Sequence, residues 1–196
     1  MKLTAMLMMA AAVAGAATPT TGSETGTVTV CLDAGDGSTA AAVARTLASR
    51  MFRDIGVTLQ WHAGTKHCPA GGIAVALDDH TPDSLKPGAF AYALPYEGTH
   101  IRIFWDRIES ASRPMSAQFT SVLLAHVLVH EITHILEGVS RHSATGVMKA
   151  TWEAEDFNVM RWKGLSMAPE DVALIHSGMK IRAAAAAPSA STVALQ

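Results

Sequence analysis

Charge is scarce in this chain. Of its 196 residues only 16% are Asp, Glu, Lys or Arg, and 15 basic against 17 acidic side chains leave a formal net charge of −2. There is no Lys/Arg run, so the electrostatic footprint of a nucleic-acid-binding protein is missing. An acidic or basic tail is missing too. No internal repeat and no linker-like stretch divides the sequence, and its length suits one domain with a sizeable core rather than two. Cysteine occurs twice, which leaves no odd thiol over.

What is abundant is apolar surface, 49% of residues, together with nine histidines. Much of the apolar excess sits at the ends. Residues 1–17 have the form of a secretory signal peptide: Lys2, an apolar run from Leu3 to Val13, and the small residues Ala14-Gly15-Ala16 at a cleavage site. That run is too short to span a bilayer, no other stretch is read as reaching transmembrane length, and no span is expected in the mature form. Residues 183–196, an alanine run followed by Pro-Ser-Ala-Ser-Thr, are expected to be a disordered tail. The folded part is then residues 26–182, exported to a periplasm or secreted. In an oxidising compartment Cys31 and Cys68 are expected to pair. Between the cleavage site and the first strand there are about ten residues, too few for a folded inhibitory pro-domain.

The expected order of elements is β-α-β-β-β-β-α-loop-α, an α+β class domain with a mixed twisted sheet. Thr27–Leu32 alternates and is β-branched, a strand signal. Ser38 is expected to cap a helix to about Ile55, with Val43, Leu47, Met51 and Ile55 at helical spacing and Gly56 as its stop. Val57–His62, Ile73–Leu77, Phe90–Leu94 and Ile101–Trp105 read as further strands. Pro114 is expected in the first turn of a long helix through Leu136, stopped by Gly138. A last helix opens at Ser166, Pro169, Glu170 and Asp171.

The long helix contains His130-Glu131-Ile132-Thr133-His134, an HExxH pattern. Residues four apart share a helical face, so both imidazoles can reach one ion. Glu131 lies on the adjacent flank, where it can serve as general base rather than as ligand. His126 continues the stripe, but His126 and His134 are roughly 12 Å apart along the axis. It is expected to pack or to support the ligands. A third ligand must come from beyond the helix. Gly138 can turn the chain back and bring His142 to the ion; Glu155 or Glu153 would suit a helix-borne carboxylate ligand instead, and Glu137 is poorly placed to close a tetrahedron.

At this segment the chain resembles the metzincin clan of zinc endopeptidases, whose pattern is HExxHxxGxxH followed by a tight turn with a methionine under the metal. Here the pattern reads HExxHxxxGxxxHSxxGxM over His130–Met148, with His142 eight residues after His134 instead of six. This spacing is similar to that of a metzincin-like group of small exported bacterial proteins. The resemblance implies a zincin domain with an active-site helix and a C-terminal helix. It implies Zn²⁺ held by His130, His134 and His142, Glu131 as catalytic base, and Met148 as the floor of the site. It also makes Phe90–Leu94 the edge strand over the cleft, with Tyr92 a possible lining residue.

Two functions of different kinds fit these residues. One is a zinc-dependent endopeptidase acting on a peptide or protein substrate, as a monomer. The other is a metal- or peptide-binding module that uses the same fold without turnover, against which the intact Glu131 argues.

Overall fold

A computed structural model of the chain describes residues 26–85, 88–93 and 99–186. The leader assigned to residues 1–17 lies outside this range, as does most of the tail. The backbone is a single mixed α/β domain. A five-stranded sheet of β1 (Gly26–Asp33), β2 (Val57–Ala63), β3 (Ile73–Asp78), β4 (Ala91–Ala93) and β5 (His100–Phe104) has the order β2-β1-β3-β5-β4. All pairings are parallel except β4 with β5. The mixed sheet anticipated from the sequence is thus mostly parallel, because α1 (Ser38–Arg53) returns the chain from β1 to lie parallel in β2.

The alternation in β1 has a structural cause. Val28, Val30 and Leu32 are buried among α1 and the long helix α3 (Ala117–Glu137). Cys31 points to the opposite sheet face and is fully buried there by its disulfide to Cys68. The pairing expected for an exported chain is therefore formed; its Cα atoms are 5.6 Å apart.

Several boundaries differ from the sequence reading. Gly37 rather than Ser38 occupies the N-cap position of α1. Trp105, read as the end of a strand, starts a separate helix, α2 (Trp105–Ser112), with Asp106 in its first turn. Pro114 then lies in the connection instead of opening α3, whose N-cap is Ser116, accepting from the Phe119 amide at 3.2 Å. Residues 154–162 form α4 (Ala154–Trp162), closed at its start by a reciprocal capping box between Glu153 and Asp156. The last helix, α5 (Pro169–Ala186), continues four residues past the boundary drawn at 182, since alanine is the best helix former.

α3 also corrects the expectation that no later stretch reaches transmembrane length: by length and composition it does. Most of that stretch is buried inside the domain, against the sheet on one side and α1, α2, α4 and α5 on others. A helix surrounded in this way has no reason to be amphipathic.

Candidate metal centre

α3 ends where the sequence places its stop. Gly138 adopts the left-handed conformation, φ 69°, and donates its amide to the His134 carbonyl at 3.0 Å. The chain then turns back along the helix and brings His142 beside His130 and His134. The three ring centroids are 4.7, 5.3 and 5.0 Å apart for the pairs 130–134, 130–142 and 134–142. One nitrogen from each lies within 4.8 Å of the others, and among the described residues this is the group of side chains able to hold a metal ion.

Two of the three donors have the spacing that a tetrahedral ion such as zinc needs. Two imidazole Nε2 atoms, of His130 and His134, face each other at 3.1 Å. Tetrahedral zinc with Zn–N bonds of about 2.0–2.1 Å requires ligand nitrogens roughly 3.3 Å apart. The His130 tautomer is set from the other side of its ring, where Nδ1–H donates to the Val147 carbonyl at 2.8 Å and leaves Nε2 as a lone pair. His134 Nδ1 is buried beside the Val139 backbone without closing a bond of good geometry.

Burial and mutual repulsion keep these imidazoles uncharged. Desolvation, with like-charge repulsion from its neighbours, pulls His130 down to about 4, the Val147 carbonyl opposing. Desolvation and His142 pull His134 to about 4. Desolvation and the adjacent Arg141 lower His142. All three are therefore in the neutral form a metal needs at physiological pH. Glu131, buried within α3, is pushed up to about 8 by desolvation. The cluster grades from buried His134 through half-buried His130 to exposed His142, so one side meets solvent.

The rival ligands are elsewhere. Glu153 and Glu155 are exposed at the start of α4, and Glu153 is engaged in the capping box. Glu137 is buried next to Arg141, with its Oε1 3.5 Å from Arg141 Nη1. His126 is also occupied: Nδ1–H donates to the Val122 carbonyl at 2.7 Å, and Nε2 accepts from the Leu165 amide at 3.0 Å. It packs and ties the chain after α4 to α3, as expected of a supporting residue. Met148 is fully buried in the core, in the turn following His142, and its carbonyl accepts from the Ser143 amide at 2.8 Å. That turn is fixed at Gly146, φ 78°, where an added Cβ would lie 2.2 Å from the Ser166 carbonyl oxygen.

Two supports escaped the sequence reading. Trp152 packs edge-on against His130 and His126, stacks with Phe90 at 6.3 Å, and donates Nε1–H to the same Val147 carbonyl at 3.2 Å. The acceptor is main chain, which no residue pattern announces. The other is Asp171, which read only as a helix-opening acid and is fully buried. Tyr92 packs on Phe104 and, with Asp78, His80 and Arg102, lines an open hollow of about 470 Å³ that shares no residue with the histidine cluster.

A mostly parallel α/β domain with two histidines of a three-imidazole cluster on its long central helix is the architecture these observations define. The sequence matches no family model and no curated protein. At the level of structure, 29 solved chains match. Among them is archaemetzincin from Methanopyrus kandleri, which aligns with a TM-score of 0.53 and 13% identity over 83% of this chain and 99% of that one. The likeness is one of fold.

Proposed function

We propose that the chain is an exported zinc-dependent endopeptidase. The observation that carries this reading is the convergence of His130, His134 and His142, with Glu131 in the intervening helical turn. A fold shared with archaemetzincin supports it, in keeping with the metzincin resemblance of the His130–Met148 segment. Structural zinc sites are closed by four protein ligands, whereas catalytic ones use three and an open position. Three imidazoles with one exposed member are of the second kind.

His130, His134 and His142 would hold the ion. Bound zinc supplies Lewis acidity, lowering the pKa of water toward 7 and polarising a scissile carbonyl. The protein's own residues supply the rest. Val147, through its carbonyl, keeps the His130 Nε2 lone pair turned inward. Glu131, whose buried carboxyl is held up at about 8, would ionise beside a bound cation. It would then take the proton of the attacking water and deliver it to the departing amine, which balances the hydrolysis without any other acid. Met148, fully buried in the turn after His142, is the residue that the metzincin resemblance would make the apolar floor of the site.

The decisive test is Glu131→Gln, assayed with an unfolded protein such as casein as substrate. Retained zinc with hydrolysis reduced by at least 10²-fold is the expected outcome for loss of a general base. Parent-like hydrolysis in that variant overturns the mechanism. One zinc per parent chain with no cleavage of any peptide library would favour a non-catalytic binding module instead.

A further inference from the structure

Two of the three imidazoles are carried by a helix and need no further support for their spacing. His142 is different: it is exposed and lies on a non-helical segment, two residues further from His134 than in the metzincin pattern. The residues on either side of it are both fixed to one carboxylate. Arg141 Nη1 donates to Asp171 Oδ1 at 2.5 Å, and Ser143 Oγ donates to the same oxygen at 2.6 Å. Arg141 Nη2 donates to Ser143 Oγ at 3.0 Å, closing a ring of three side chains. Asp171 Oδ2 accepts the Ala168 amide at 3.2 Å, anchoring the acid to the first turn of α5. Glu170 adds a weaker contact to both donors, at 3.2 and 3.3 Å.

We propose that Asp171 is a positioning residue for His142, holding the ligand by gripping the residues before and after it. The inference rests on the reading of His142 as a metal ligand. With adjacent Cα atoms 3.80 Å apart across a trans peptide, fixing residues 141 and 143 leaves residue 142 little room to move. The grip is cooperative, because a fully buried carboxylate is tolerated only when paired and hydrogen-bonded. This arrangement lets a longer loop deliver a ligand with the accuracy that a shorter one has by its length. It also gives α5 a part in metal binding, although no residue of α5 belongs to the ligand cluster.

The test uses the full chain stripped of metal, with Zn²⁺ competition for affinity and the Co²⁺ electronic spectrum for coordination. Asp171→Asn is expected to weaken zinc binding by about 10–100-fold, the usual effect of losing a ligand's supporting partner. Its Co²⁺ spectrum should approach that of His142→Ala. In the His142→Ala background the same substitution should change affinity by less than about twofold, because the ligand it positions is gone. Arg141→Met, at a side chain 30% exposed, tests the same grip should Asp171→Asn fail to fold, with the same expected loss. Parent-like affinity in both single variants, or an equal loss with and without His142, overturns the proposal. The metal reading fails by a different signature: a parent that takes up no zinc, or His142→Ala binding as tightly as the parent, overturns the ligand assignment and the positioning role with it.

Discussion

The Nε1–H of Trp152 and the Nδ1–H of His130 converge on one acceptor, the Val147 carbonyl, at 3.2 and 2.8 Å. A carbonyl has two lone pairs and can serve both. The indole thus fixes the oxygen that fixes the imidazole. Trp152→Phe keeps a ring against His130 but removes the donor. A neutral hydrogen bond contributes about 1 kcal/mol, so zinc affinity should fall roughly fivefold with little change in fold. Zinc competition together with near-UV circular dichroism checks this, and unchanged affinity would show that the Val147 carbonyl holds its place unaided.

The choice of third ligand has a direct readout. His142→Ala should lower the zinc content of the purified chain well below one equivalent, and Glu155→Ala should leave it at the parent value. Glu155 is exposed on α4 and lies outside the histidine cluster. The reverse result would assign the site to a carboxylate.

The disulfide is expected to act on stability and not on the site. Cys31 and Cys68 are 37 residues apart and cover the face of β1 opposite the α3 side. Closing a loop of that size stabilises by about 4 kcal/mol in the chain-entropy account. A Cys31→Ser, Cys68→Ser double variant should therefore melt much earlier, yet bind zinc with parent affinity well below its melting temperature. A large loss of affinity in the folded variant would contradict this separation.

Glu137 gives the domain a pH dependence of defined sign. Burial and the neighbouring Asp171 push its carboxyl up to about 7, with Glu170 adding and Arg141 opposing. A folded pKa above the unfolded value means the folded state holds the extra proton. The associated stability is present below about pH 4.5 and is lost as pH rises toward 7. Glu137→Gln should be more stable than the parent at pH 8 by roughly 2 kcal/mol relative to the difference at pH 5. Denaturant melts at both values, in chelator so that metal plays no part, will show it. Parallel pH profiles for the two proteins would rule the effect out.

The parts of this fold that could be read in advance were those written as local repetition. The alternation of Val28, Val30 and Leu32, the helical spacing in α1, and the His130–His134 interval each depend on residues within one or two turns. The Gly138 stop was legible because only a left-handed residue serves there. The break between α2 and α3 was not, since Pro114 suits a helix start as well as a turn. α4 was legible only as a helix that could carry a carboxylate ligand, whereas Glu153 is used with Asp156 to cap it. The supports of the site were hidden for a more general reason. Asp171 meets Arg141 across 30 positions and His130 meets a main-chain carbonyl across 17, and neither meeting leaves a periodic trace.

The centre is assembled from two kinds of backbone. His130 and His134 stand on a helix packed within the core, whereas His142, Val147 and Met148 follow the turn at Gly138 on a segment with no regular ladder of its own. Such segments open by local fluctuation far more often than the elements beneath them. Here the segment is tied down through Arg141, Ser143 and the Val147 carbonyl, and metal would add one more tie between it and α3. Amide hydrogen exchange should register this as slowed exchange confined to residues 139–150 on zinc addition, with α3 equally protected before and after.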